Sequence, residues 1–209
     1  MNPRLLWWSA LLSSSSALAV PSDVCVDSFS AGAQAFFQEG FVAGERAAVR
    51  LSLPPGAYPA TVTGLRFLYG GADDGAAYQV VASVFDDNGD SIYAEEGFPG
   101  TALVSETHPV LSSTSDANEV LFDAPPTVVE GAFWIVIGMT NAGLPSVARD
   151  VGLTAGRGAV MVEGAGWVDN GDLGVAGDWI IRAMVEAPAS VPGSCAFVGE
   201  GEGEGEGEG

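Results

Sequence analysis

The fold is decided by the stretch AFWIVIGM, residues 132–139, an unbroken apolar run. A short run of this kind, rich in β-branched and aromatic residues, predicts a central strand covered on both faces. Earlier in the chain, the segment from Glu45 to Leu53 alternates apolar and polar side chains, which is typical of a half-buried strand. We therefore expect one domain that contains both strands covered on two faces and half-buried strands.

Seven further segments have strand character and are separated by glycine, proline, asparagine and aspartate. They are residues 61–69, 78–85, 91–95, 102–106, 119–122, 159–162 and 178–185. The dipeptide Asn88-Gly89 is a strong signal for a hairpin turn. About nine short strands without a helical period between them predict an all-β fold, an antiparallel two-sheet β-sandwich or jelly roll.

The first residues are typical of a secretory signal peptide covering residues 1–19. Arg4 precedes the apolar stretch 5–12, and Ala17-Leu18-Ala19 forms the small-residue pattern that signal peptidase recognises. Eight apolar residues are too few to span a bilayer, and no later segment is long and apolar enough, so no membrane span is expected. Asp23 and Val24 before Cys25 do not form a lipobox. We therefore expect a secreted or cell-surface protein.

The rest of the chain divides into a β-sandwich domain, residues 20–198, and a Gly-Glu repeat, residues 199–209. Repeated glutamates on a glycine chain repel one another and have nothing to bury, which predicts a disordered tail. The repeat is either a spacer that holds the domain away from a surface or an inert product of repeat slippage. The sequence leaves both interpretations open.

The charge balance is strongly acidic, with 27 acidic and 7 basic residues and a formal net charge of −20. A surface of this sign repels nucleic acid and anionic membranes, so neither is an expected partner. It is compatible with cation binding, but solubility through net charge is the simpler explanation, and we favour it.

Cys25 and Cys195 lie at the two ends of the predicted domain. Two cysteines in an exported chain favour one disulfide bond. Such a bond would tie the ends of the domain together, and the chain-entropy model gives it a value of up to about 5 kcal/mol.

Two polar turns are candidate ligand sites. The first contains Asp86, Asp87, Asn88 and Asp90, the densest group of oxygen donors in the chain. Calcium takes six to eight oxygen ligands, so calcium is the one cofactor that this turn could hold. The alternative is a solvated hairpin turn without a metal ion, because the spacing does not match a calcium-binding EF-hand loop.

The second candidate site follows Trp167 and contains Asp169, Asn170 and Asp172. A tryptophan flanked by polar turn residues can stack on a sugar ring, because its apolar face packs while neighbouring polar groups hold the hydroxyls. The alternative is that Trp167 plugs one end of the sandwich.

Other notable residues are interpreted as structural. We expect Arg182, a charge on an apolar strand, to pair with a buried carboxylate. Trp134 and Trp179 lie within predicted strands and are expected in the core. His108, before a proline, is expected as an exposed turn residue. No catalytic residue is predicted, because a single histidine in a turn does not form a hydrolytic triad.

The closing segment GDWIIRA, residues 177–183, resembles the last strand of secreted β-sandwich modules of bacterial surface and exported proteins. Residues 78–85 followed by residues 98–100, the segment 133–138 and Trp167 are similar to other parts of these modules. The resemblance covers roughly residues 41–186 and implies the fold and an exported location. It implies an accessory or stand-alone module and supplies no catalytic residue.

The expected function is that of an exported, non-enzymatic β-sandwich module with a structural or interaction role at the cell envelope or outside the cell. The first alternative is a carbohydrate-binding module that uses Trp167, with or without calcium. The second alternative is a small hydrolase that depends on a pair of carboxylates. A glycan or another cell-surface component is the expected kind of partner.

Overall fold

A computed structural model describes most of the chain, and every regular element in the described residues is a β-strand. The described residues are 19–30, 32–88, 97–150, 152, 157–191 and 195. The strands are β1 Val20–Val24, β2 Phe36–Phe37, β3 Arg46–Ser52, β4 Ala60–Phe67, β5 Tyr69–Gly70, β6 Ala77–Asp87, β7 Pro99–Leu111, β8 Asn118–Leu121, β9 Thr127–Val128, β10 Ala132–Met139, β11 Ser146–Arg149, β12 Gly158–Val162, β13 Gly166–Asp169 and β14 Ile181–Ala187.

The strands form two large antiparallel sheets and one small one. The five-stranded sheet has the order β1-β14-β4-β8, and β9 also pairs with β4. The six-stranded sheet has the order β13-β12-β3-β10-β6-β7, and β2, β11 and β5 form the small sheet. The predicted all-β class is confirmed, although the strands outnumber the nine expected. The arrangement is consistent with a β-sandwich.

Strand β10 coincides with the apolar run that decides the fold. It pairs with β3 on one side and β6 on the other, so it lies inside the six-stranded sheet. Phe133, Ile135 and Ile137 face the main core, while Trp134 and Val136 pack in a second cluster on the other face of the sheet. All five side chains are buried, which explains why this strand shows no alternation.

The main core lies between the two large sheets. Its largest fully buried side chains are Leu51, Leu65, Phe67, Tyr69, Phe133, Ile135, Ile137, Trp179 and Ile181. Each fully buried aliphatic or aromatic side chain of this kind contributes about 1.5–3 kcal/mol through the hydrophobic effect. Trp134 and Trp179 are buried, as predicted.

Two strands differ in extent from the prediction. Strand β7 runs far beyond the expected residues 102–106 at both ends, because it follows almost the whole length of β6. Strand β14 begins only at Ile181, because the amide of the preceding Ile180 donates to the Ala148 carbonyl in β11 and its carbonyl accepts from the Leu68 amide. The predicted strand 91–95, the signal peptide up to residue 18 and the Gly-Glu repeat lie outside the described residues.

Candidate functional site

The two ends of the domain are joined by a disulfide bond between Cys25 and Cys195, as predicted, with their Cα atoms 6.2 Å apart. Cys25 follows β1, an edge strand that pairs along its whole length with β14. Disulfides persist in oxidising compartments, so this bond is consistent with an extracellular protein.

A buried ion pair lies beside the disulfide. The Arg182 guanidinium donates to both carboxylate oxygens of Asp27, at 2.6 Å from Nη2 and 3.1 Å from Nε. It also donates to the carbonyl oxygens of Phe29 (2.6 Å) and Cys195 (3.2 Å). Both charged side chains are completely buried. Arg182 therefore has the carboxylate partner that was predicted for it, and the disulfide and this ion pair together form what we call the terminal clamp.

Burial raises the pKa of Asp27, although the hydrogen bonds and the charge of Arg182 act in the opposite direction. A second buried carboxylate, Asp150, holds the same segment. It accepts hydrogen bonds from the amide and hydroxyl of Ser28, both at 2.7 Å, and from the amides of Gly152 and Asp178. Burial acts to raise the pKa of Asp150, but these hydrogen bonds outweigh it and lower the pKa. The segment after Cys25 is thus fixed at two points.

The predicted calcium ligands are divided by the geometry of β6. Asp86 and Asp87 are consecutive residues of a strand, so their side chains project to opposite faces. Asp86 accepts a hydrogen bond from the Thr101 amide. Asp87 accepts hydrogen bonds from Arg50 Nη2 at 2.6 Å and from Trp134 Nε1 at 3.0 Å. The two carboxylates therefore have different partners in the fold, and calcium binding at this turn stays a prediction.

The electrostatics of Asp87 agree with this structural use. Burial acts to raise its pKa, but the hydrogen bonds from Arg50 and Trp134 lower it overall. Asn88 accepts a hydrogen bond from the Phe98 amide and so closes the base of the turn. Asp90, the fourth predicted ligand, lies outside the described residues. In the part of the chain that is described, no group of three or more His, Cys, Asp or Glu side chains could hold a metal ion.

Trp167 lies in β13 and points to the outer face of the six-stranded sheet, the face turned away from the main core. Four strand spacings separate β13 from β6, which is about 19 Å in a flat sheet. The rings of Trp167 and Phe85 nevertheless meet edge to face, with centroids 6.3 Å apart. The sheet must therefore curl so that its outer face is concave, and the rings close over the small, fully buried side chains of Ala48 and Ala159.

Of the polar residues after Trp167, Asp169 lies on the same face of the sheet, because it is two positions further along β13. Asn170 is buried, and its side-chain oxygen accepts a hydrogen bond from Trp179 Nε1 at 3.1 Å, on the core side of the sheet. Asp169 accepts a hydrogen bond from the Gly171 amide within its own turn, and Asp172 is exposed. The structure thus places Trp167 and Asp169 on the outer face of the sheet and Asn170 on the core side. Sugar binding at Trp167 stays a prediction.

His108 lies within β7, so its prediction as an exposed turn residue is wrong. Its half-buried ring packs edge to face on Phe122, and its Nε2 atom lies 3.5 Å from a carboxylate oxygen of Glu106. Glu106 accepts hydrogen bonds from the amides of Asp123 and Ala124. The pair therefore connects β7 to the segment after β8. Two neighbouring inward-facing polar residues in a long strand were not recognisable from sequence alternation.

A small open cleft, which we call the end cleft, lies where β3 and β12 meet the loop before β3 and the loop after β13. Its volume is about 160 Å³. It is lined by the apolar side chains of Phe41, Val160, Val162, Leu173, Val175 and Trp179 and by the polar or backbone groups of Gln38, Glu39, Gly40 and Glu45. Sequence analysis missed this cleft because its lining comes from four separate segments.

Comparison of the chain with models of protein families, with curated proteins and with solved structures found no match. In the described residues no helix is long and apolar enough to cross a membrane.

Proposed function

We propose that this protein is an exported, non-enzymatic β-sandwich module with an interaction role at the cell envelope or outside the cell. The observation that carries the proposal is the terminal clamp, in which the Cys25–Cys195 disulfide and the Asp27–Arg182 ion pair fasten both ends of the domain. A disulfide is stable in an oxidising compartment, which supports export. The signal-peptide pattern of residues 1–19 supports it independently.

Three of the described carboxylates are bound within the fold, which supports an interaction role over a hydrolytic one for these groups. Asp27, Asp87 and Asp150 each accept two or more hydrogen bonds from the protein itself. A carboxylate used in this way stabilises the fold and is not poised to activate water or protonate a leaving group. The end cleft, in contrast, leaves apolar surface open to a partner.

The interaction role is tested by producing the full chain with its leader in a bacterial host and isolating the exported, oxidised product. Mass spectrometry should locate its N-terminus at Val20. The product should then sediment with intact cells or cell-wall fractions of the species that encodes it, without releasing soluble fragments from them. Fragment release would show an enzyme and refute the non-enzymatic role, and failure to sediment with any fraction would refute the interaction role.

Carbohydrate binding is the second candidate, because the half-buried Trp167 lies on a concave sheet face. A glycan array with the exported product, with and without calcium, tests it. Binding that is lost in Trp167→Ala and kept in Trp167→Phe would establish carbohydrate recognition. Equal binding by all three proteins would exclude this face.

A further inference from the structure

The end cleft has a buried floor and an exposed rim. Trp179 and Phe41 form the floor, with ring centroids 5.8 Å apart, and both are buried. Val162 and Val175 are half-buried on the walls, and Leu173 at the rim is 43% exposed. The apolar surface is thus continuous from the core to solvent.

The walls of the cleft are held in place by the chain itself. The side-chain oxygen of Asn170 accepts a hydrogen bond from Trp179 Nε1 and so fixes the indole. The backbone carbonyl of Asn170 accepts hydrogen bonds from the amides of Leu173 and Val175. On the other wall, the Glu45 carboxylate accepts a hydrogen bond of 3.0 Å from the Val42 amide. A cleft whose walls are already fixed loses little conformational entropy when a partner binds.

The size of the cleft limits what can enter. Small-molecule sites usually have volumes of roughly 300–1,000 Å³, whereas an apolar cavity of about 150 Å³ accommodates a benzene-sized group. The end cleft, at about 160 Å³, therefore fits one aliphatic or small aromatic side chain. The remainder of such a ligand must lie on the surrounding surface.

That surrounding surface is acidic. Glu39 and Glu45 line the cleft, and the Glu163 amide approaches Glu45 at 3.4 Å. Among the described residues no basic side chain lines the cleft. The neighbouring Arg149 donates to Gln38 and to the carbonyl of Ala176. Arg46 follows Glu45 but lies on the outer face of β3, in register with Met161 and Gly138.

We propose that the end cleft binds a basic segment of a partner protein, with one apolar side chain of that segment inserted between Leu173, Val162 and Val175. The inference rests on the proposed interaction role and deepens it. A second copy of this chain is a poorer occupant, because two molecules that each carry a formal charge of −20 repel one another. The basic residues on both sides of the inserted side chain would face Glu39 and Glu45.

Methyl NMR titration of the exported product tests the proposal with three capped pentapeptides. The first is Arg-Lys-Leu-Lys-Arg, the second replaces leucine by serine, and the third is Glu-Asp-Leu-Asp-Glu. We expect the first peptide to shift the methyl signals of Leu173, Val162 and Val175 in a saturable way. The serine peptide should bind at least about tenfold more weakly, because burial of a leucine side chain is lost.

Two sets of variants separate the apolar and the charged contributions. Leu173→Ser should weaken binding of the leucine peptide severalfold, whereas Leu121→Ser, at another exposed leucine, should not. Glu39→Gln/Glu45→Gln should weaken it roughly threefold to tenfold at low salt and much less at high salt, with Glu130→Gln as the control. Because Leu173 and Leu121 are both exposed, neither serine variant should fail to fold.

Three results would overturn the proposal: equal binding of the leucine and serine peptides, equal binding of the basic and acidic peptides, or no effect of Leu173→Ser. Sedimentation that shows a dimer disrupted by Leu173→Ser would assign the cleft to a second copy and also overturn it. If the peptides fail while the product still sediments with cell walls, the cleft assignment is lost and the interaction role stands. If the product sediments with nothing, the interaction role itself fails.

Discussion

Removing the Arg182 guanidinium should destabilise the protein more than removing the charge of Asp27, the other charged group in the terminal clamp. In Arg182→Met the buried carboxylate of Asp27 loses its counter-charge, which costs about 3–5 kcal/mol for a buried pair. The carbonyl groups of Phe29 and Cys195 also lose the hydrogen bonds that Arg182 donates to them. A loss of about 3–5 kcal/mol is a large part of the free energy of unfolding of an ordinary domain, about 5–15 kcal/mol.

Two further variants help to assign this loss of stability to particular interactions. Asp27→Asn removes the negative charge but leaves Arg182 bound to both carbonyls, so we expect a loss of only about 3–5 kcal/mol. Arg66→Met is the matched control, because Arg66 is the cross-strand neighbour of Arg182 and also pairs with two carboxylates. Its side chain is 33% exposed, and each such pair is worth about 0–1 kcal/mol.

Urea unfolding of the oxidised proteins, followed by tryptophan fluorescence, measures all three variants, because Trp134 and Trp179 are buried in the folded state. The loss in Arg182→Met should also depend on pH. Without Arg182, the hydrogen bond from the Phe29 amide is the remaining cause that lowers the pKa of Asp27, so burial raises that pKa further. A raised pKa in the folded state means that stability is present at low pH and lost as pH rises through that pKa. Arg182→Met should therefore be more stable near about pH 5 than near about pH 8. An Arg182→Met loss no larger than that of Arg66→Met would refute this reasoning.

Further predictions concern the other supports of the fold. Asp150→Asn should destabilise the protein at neutral pH, because its lowered pKa supplies stability that is lost only as pH falls through the folded-state value. In acid-unfolding curves the difference in stability between Asp150→Asn and wild type should disappear at low pH. A difference that stays constant with pH would contradict this prediction. Gly158→Ala should lower the melting temperature, because its Cβ atom would overlap the Asn170 amide, at a cost of about 1–3 kcal/mol; an unchanged calorimetric trace would count against it. Replacing Cys25 and Cys195 together by alanine should cost up to about 5 kcal/mol in urea unfolding, since the bond closes a loop across 170 residues. A midpoint equal to that of wild type would exclude a stabilising role.

The strand pattern was predictable where local signals are strong. Residues 132–139 form β10 with the expected limits, and β3 follows the alternation that begins at Glu45. Strands β1 and β13 were missed because their alternation is weak: β1 contains Pro21 and Asp23, and β13 contains only four residues. Such strands depend on a paired neighbour, which local sequence does not reveal.

The site residues also depend on contacts that local sequence does not reveal. The need of Arg182 for a carboxylate was predictable from burial, but its partner is 155 positions away in sequence. Density of oxygen donors suggested a calcium site at Asp86 and Asp87, whereas the alternation of β6 sends the two carboxylates to opposite faces. Adjacency in sequence brings donors together in a turn and separates them in a strand.

The terminal clamp also decides how the domain would respond to a mechanical pull on its flanking segments. A force on the N-terminal side first peels β1 from β14, because these strands run in opposite directions along residues 20–24. The force then reaches Cys25, where a covalent bond passes it directly to Cys195. Once β1 has separated from β14, residues 26–194 lie outside that load path, so further tension between the two ends of the domain is carried by the disulfide and not by strands β2 to β14.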